Sequence, residues 1–145
     1  MIKIVGILLA AVFALLSLLH LYWAVGGRFG SAVAIPSVGG KPSFRPSPFA
    51  TVLVAVAFIA AVLVVIGQLG WLGNRVPRWM FRWATLGIAL IFFLRAVGEF
   101  KLIGFFKRAS DTPFAYWDTH LFSPLCLLIA VAAFALFYNN PQPTS

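Results

Sequence analysis

The sequence predicts an all-α membrane protein: one domain, residues 1–145, of four transmembrane helices packed as an up-down bundle. Three observations predict it. Apolar residues make up 62% of the chain and charged residues only 10%, against about 45–50% and about 25% in soluble domains. The apolar residues gather into four runs, each near the roughly 20 residues a helix needs to cross a hydrocarbon core. The eleven Lys and Arg residues, which against three acidic residues give a formal net charge of +8, mostly flank those runs, where they meet lipid phosphates. Such an arrangement leaves no soluble basic domain for nucleic acid.

The first run extends from Ile4 to about Val25. Lys3 in front of it imitates the charged start of a signal peptide. The run exceeds the roughly 7–15 apolar residues of such a peptide, and no small-residue cleavage site follows, so it reads as a retained span. The second covers Phe49–Gly67 and is rich in β-branched residues. A lone strand in lipid would leave its backbone unpaired, and the alternation of a barrel is missing. Helix is the reading. The third span is expected over 81–100, with Phe81 and Trp83 at the interface, and the fourth over 120–138.

Loop 1, residues 26–48, is rich in Gly, Pro and Ser. It is expected to be ordered by packing and not by regular hydrogen bonding, and its length suits a lid or binding loop. Loop 2, residues 68–79, reads as a tight basic turn. Loop 3, residues 101–120, is amphipathic and aromatic and belongs partly in the headgroup layer. Lys3, Arg75, Arg78 and Arg82 fall on the side of the N-terminus; Arg28, Lys41, Arg45, Lys101, Lys107 and Arg108 fall on the other. That division is too even to fix the orientation.

Polar residues enter the bundle at one end. His20 lies about a turn inside the end of span one, followed by Tyr22, Trp23 and the helix-ending pair Gly26-Gly27. Arg95 and Glu99 stand four apart near the end of span three, on one helical face and within ion-pair reach. Asp118 and His120 open span four. An arginine at that depth is costly in lipid, so it is expected to turn inward with Glu99 as its natural partner or with Asp118. By the same argument His120 and Asp118 are both expected to face the interior. His20, Glu99 and Asp118 are the candidate catalytic groups, His20 because its charge responds to its surroundings. Arg95, Lys101, Lys107, Tyr22 and Trp23 are the candidate ligand-binding residues. These groups are expected to form one pocket, roofed by loops 1 and 3.

No metal or cofactor is expected. Two histidines at one depth suit a haem, and His20 with an acid suits zinc, but nothing else in the chain marks either site. Cys126, alone in an apolar run, reads as a small buried hydrophobe. Ser17, Ser123 and Thr119 read as interhelical hydrogen-bonders. The nucleophile elbow, the phosphate loop and the H-E-x-x-H motif are all lacking.

The stretches HLYWAVGG (20–27), RAVGEFKLIGFFK (95–107) and DTHLFSPLCLL (118–128) together resemble a bacterial family of short four-helix membrane proteins described only as a domain of unknown function. The resemblance covers nearly the whole chain. It implies the four-span fold and a multi-pass location in the bacterial inner (plasma) membrane, and it supplies no activity.

Three functions fit. The leading one is a one-sided polar pocket (His20, Arg95, Glu99, Asp118) that binds or acts on a lipid-like or amphipathic small molecule. The alternative is a non-catalytic accessory or assembly subunit of a larger membrane complex. The third is a small oligomeric transporter, for which spans two and four offer few polar residues. Expected partners are membrane lipids, a hydrophobic ligand, and a larger membrane complex or further copies of the chain. Whether the protein is an enzyme is left open by the sequence.

Overall fold

The computed structural model describes residues 1–38, 41–72, 76–98, 103–106 and 112–139. Four long helices dominate it. In chain order the elements are α1 (Ile2–Ala24), α2 (Ser31–Ala34), β1 (Ser37–Val38), β2 (Lys41–Pro42), α3 (Pro48–Gln68), α4 (Arg78–Val97), α5 (Pro113–Trp117), a π-helical turn (Asp118–Phe122) and α6 (Ser123–Asn139). The last three run on as one helical span.

Local chemistry sets the ends. Ser47 caps α3, its hydroxyl accepting from the Ala50 N–H at 3.1 Å with Pro48 in the first turn. Thr112 and Pro113 repeat the device at α5, where the Ala115 N–H donates to the threonine hydroxyl at 3.1 Å. A side-chain oxygen fills one orphan donor, and proline needs no N–H there. At the other end of α1, Gly26 takes a φ of 98°. Its N–H reaches the Trp23 carbonyl at 3.0 Å, and the Gly27 N–H reaches Tyr22 at 2.9 Å, the paired closure that a left-handed residue allows. Gly26 and Gly27 do end the helix, as their sequence implies.

Two expected boundaries move. The third span stops at Val97, short of Phe100, because Gly98 leaves the helix with a φ of 84°. The fourth begins at Pro113, well before residue 120, because the Thr112-Pro113 cap starts a helix inside what reads as loop 3.

Loop 1 also departs from expectation. It carries regular hydrogen bonding, a turn of helix in α2 and a small antiparallel hairpin pairing Ser37 with Pro42 and Val38 with Lys41. Gly30 supplies the positive φ (75°) that starts α2, and the Trp23 indole ties the loop to α1 by donating to the Phe29 carbonyl at 2.8 Å. The short helix α2 then packs against α5.

The long helices alternate in direction. Leu69, just past α3, fills the space beside Gly6 near the start of α1. The Phe81 ring of α4 lies against Gly67 at the end of α3. The Arg82 guanidinium sits 4.8 Å over the ring of Phe137, near the end of α6. Residues Met1 and Asn139 therefore lie at one end of the bundle, and the described parts of loops 1 and 3 at the other. The helices pack most closely as two pairs, α1 with α3 and α4 with α6, joined through α3–α4 and α1–α6.

Lipid tails are as apolar as leucine, so packing contacts, not water exclusion, hold such helices together. Small buried residues allow that close approach: Ala55, Ala61, Ala89, Ala96, Ala130 and Ala133. At the centre Phe13, fully buried, meets Phe58 and Phe92 with ring centroids 6.1 and 5.6 Å away. Ser17 donates across to the Ala55 carbonyl at 2.9 Å, as expected of an interhelical hydrogen-bonder. Outside, Leu8, Leu18, Val52, Ile91, Leu94, Leu128 and Val131 are exposed, a surface suited to lipid and not to water. The protein is a multi-pass membrane protein built as a four-helix bundle.

Candidate functional site

The acid that answers Arg95 comes from another helix. Arg95, in the last turn of α4, places Nη2 2.8 Å from Oδ1 of Asp118, the first residue of the π-helical turn. Asp118 is fully buried and the Arg95 side chain is 32% exposed. A cation in the last turn of a helix also meets the negative end of its dipole. Glu99, the expected i+4 partner, lies outside the described residues.

The second carboxylate oxygen is held by backbone. Oδ2 of Asp118 accepts from the Gly104 N–H at 2.7 Å. That amide arrives there because two glycines cross. Gly98 and Gly104 have φ of 84° and 90°. The place of a Cβ on Gly98 is occupied by the Ile103 carbonyl, and that of a Cβ on Gly104 by the Gly98 backbone. The Phe105 N–H closes the crossing on the Ala96 carbonyl at 2.9 Å. Only glycine fits either position without strain.

Pro124 explains why Asp118 points inward. Proline has no N–H for the carbonyl of His120, and its ring crowds that carbonyl. The chain responds with a π-helical turn in which the Ser123 N–H bonds to the Asp118 carbonyl, five residues back. In an α-helix, residues five apart diverge by about 140° around the axis. The wider turn brings them nearly into line, and Asp118 and Ser123 are both fully buried. Such turns concentrate at functional sites.

The remaining candidates separate. His20 places Nδ1 2.7 Å from the Leu16 carbonyl of its own helix, and its ring contacts Trp23 and Phe58 at 5.0 and 5.2 Å. Among the described residues no direct polar contact joins it to Arg95 or Asp118. A looser relation does exist. His20 stands two turns beyond Phe13 and Arg95 one turn beyond Phe92, so both rise from the same aromatic floor. Tyr22 packs over Gly27 and is partly exposed, while Trp23 is half-buried against loop 1. Lys101 and Lys107 lie outside the described residues.

His120 does not turn inward. It is exposed, stacked on Tyr116 at 4.4 Å, with Nδ1 2.8 Å from the Tyr116 carbonyl. Its own helix meets its polar need, so the argument that lipid must drive it inside does not apply. Thr119 likewise donates to its own helix, to the Ala115 carbonyl at 3.1 Å. Among the described residues no three His, Cys, Asp or Glu side chains come together.

Sequence reading missed the Gly104 amide and the π-helical turn ahead of Pro124. The first had a signal, two glycines six apart, the earlier of them three residues after Arg95. The second had one too, a proline six residues after an acid in an apolar run. A family model, "Protein of unknown function (DUF3995)", matches residues 13–133. No curated protein and no solved structure matches the chain.

Proposed function

Because the chain belongs to a family of unknown function, DUF3995, its activity has to come from the site itself, and we propose that the end of the bundle away from its termini binds an amphipathic, lipid-like molecule through an oxyanion of that molecule. One observation carries the reading. Arg95 spends Nη2 on Asp118, while its Nη1 is buried with no hydrogen-bond partner among the described residues. Native proteins pair more than about 90% of buried polar groups, and an orphaned one costs about 1–3 kcal/mol. A ligand oxygen would remove that cost, and a hydrogen bond to a guanidinium is of the strong, charge-assisted kind.

In this reading Asp118 and the Gly104 amide fix the guanidinium, and Arg95 binds. Tyr22 and Trp23 line the approach at the interface, with Lys101 and Lys107 adding positive charge. His20 and Glu99 would serve any acid–base step. The setting is the bacterial inner membrane, which the family resemblance implies. An apolar groove of about 240 Å³ between α4 and α6, lined by Ala89, Leu90, Phe93, Leu127, Ala130, Val131 and Phe134, opens on the outer face. It offers an acyl chain a bed on the same helix pair.

The test is native mass spectrometry of the full chain purified in mild detergent. Wild-type protein should carry a lipid-sized adduct that Arg95→Gln loses. Equal adducts on both proteins would sink the reading, and departure with a partner protein in place of a lipid would favour an accessory subunit.

A further inference from the structure

Among the described residues the other buried hydroxyls, on Ser17, Thr51 and Thr85, each have a hydrogen-bond partner, and Ser123 does not. Thr51 and Thr85 each donate to the carbonyl four residues back, at 3.0 and 2.7 Å. That back-bond is how a hydroxyl in a membrane helix ordinarily satisfies itself. Ser17 instead donates across to α3. Ser123 does neither. Its side chain is fully buried and its hydroxyl has no hydrogen-bond partner among the described residues.

The position explains the exception. Ser123 is the first residue after the π-helical turn, whose carbonyls are directed differently from those of an α-helix. The back-bond is broken by the same turn that aligns Ser123 with Asp118. The Ser123 N–H bonds to the Asp118 carbonyl, and the carboxylate of the same Asp118 holds the Arg95 guanidinium at 2.8 Å. Two orphaned buried polar atoms, Nη1 of Arg95 and the hydroxyl of Ser123, therefore belong to one region of the α4–α6 interface.

We infer that Ser123 is the second ligand-binding donor of the site, so that one oxyanion, a phosphate or carboxylate, takes its hydrogen bonds from the Arg95 guanidinium and the Ser123 hydroxyl together. This rests on the reading of Arg95 given above. The donor set is cationic and neutral, with three N–H or O–H groups available (two on Nη1, one on the hydroxyl). Phosphate and carboxylate oxygens accept such a set; an alcohol of the same chain length presents no anionic oxygen to it.

The experiment uses the full chain in neutral detergent and titrates dodecyl phosphate, dodecanol and inorganic phosphate by calorimetry against wild type, Ser123→Ala and Arg95→Gln. Ser123→Ala should weaken dodecyl phosphate about tenfold and leave dodecanol unchanged. Its melting temperature should hold or rise, because deleting an unpartnered buried hydroxyl relieves a cost. Unchanged stability with weakened binding is a combination that a structural role for Ser123 would not give. Dependence on Ser123 seen with inorganic phosphate as well would assign the site to a free anion, and dependence with dodecyl phosphate alone assigns it to a headgroup; both support the two-donor site. Full-strength binding to Ser123→Ala, with loss in Arg95→Gln, overturns the inference and leaves Arg95 standing. No binding to wild type overturns both.

Discussion

Arg95 and Asp118 stand 23 positions apart in the chain and 2.8 Å apart in space, the cation closing one helix and the acid opening the irregular turn of another. The relationship has an asymmetry that can be measured. Removing one partner of a buried pair costs about 3–5 kcal/mol, whereas replacing both by apolar residues is often neutral or stabilising. Arg95 is one-third exposed, so the lower end of that range applies. Arg95→Leu should destabilise the protein by about 3 kcal/mol in detergent unfolding, and Arg95→Leu with Asp118→Leu should recover most of it. A double variant as unstable as the sum of its singles would contradict the pairing.

The glycine crossing gives a sharper contrast. Gly104→Ala demands a positive φ of alanine and overlaps the Gly98 backbone, so a loss above about 2 kcal/mol is expected. Gly87, inside α4, has nothing within 4 Å of the place a Cβ would take. Gly87→Ala should therefore be neutral or stabilising by up to about 1 kcal/mol. Thermal melts of the two variants side by side should separate them widely. Similar melting temperatures would mean that the crossing does not hold the fold.

Pro124→Ala restores the N–H that the His120 carbonyl lacks. The helix is then free to straighten, turning Asp118 away from Ser123 and loosening its hold on Arg95. The Arg95–Asp118 coupling, read from a double-mutant cycle in the Pro124→Ala background, should fall by at least half. An undiminished coupling would show that the turn has another cause.

The alternation of the helices makes a topological prediction. On a Cys126→Ala background, single cysteines at Lys3 and Asn139 should label from one face of the membrane, and a cysteine at Ser31 from the other. Labelling of positions 3 and 139 from opposite faces would rule out the bundle described here.

The sequence alone determined the number of spans, their helical character and the end of the bundle where polar groups collect. The reason is that lipid leaves an apolar run of about 20 residues few alternatives to a helix, and a chain that has crossed the bilayer in one span must return in the next. The closure of α1 at Gly26-Gly27 was legible for a similar reason, since that motif is local. Tertiary structure decided the partners. The sequence offered Arg95 either Glu99, four residues on, or Asp118, and the fold sets Asp118 against it with the Gly104 amide behind. The direction of His120 was equally beyond the sequence, because a polar side chain in a helix can satisfy itself on its own backbone, as His20 does on Leu16 and His120 on Tyr116. Which choice each makes depends on the face the helix presents, and a single irregular turn before Pro124 reset that face for the whole start of the fourth span.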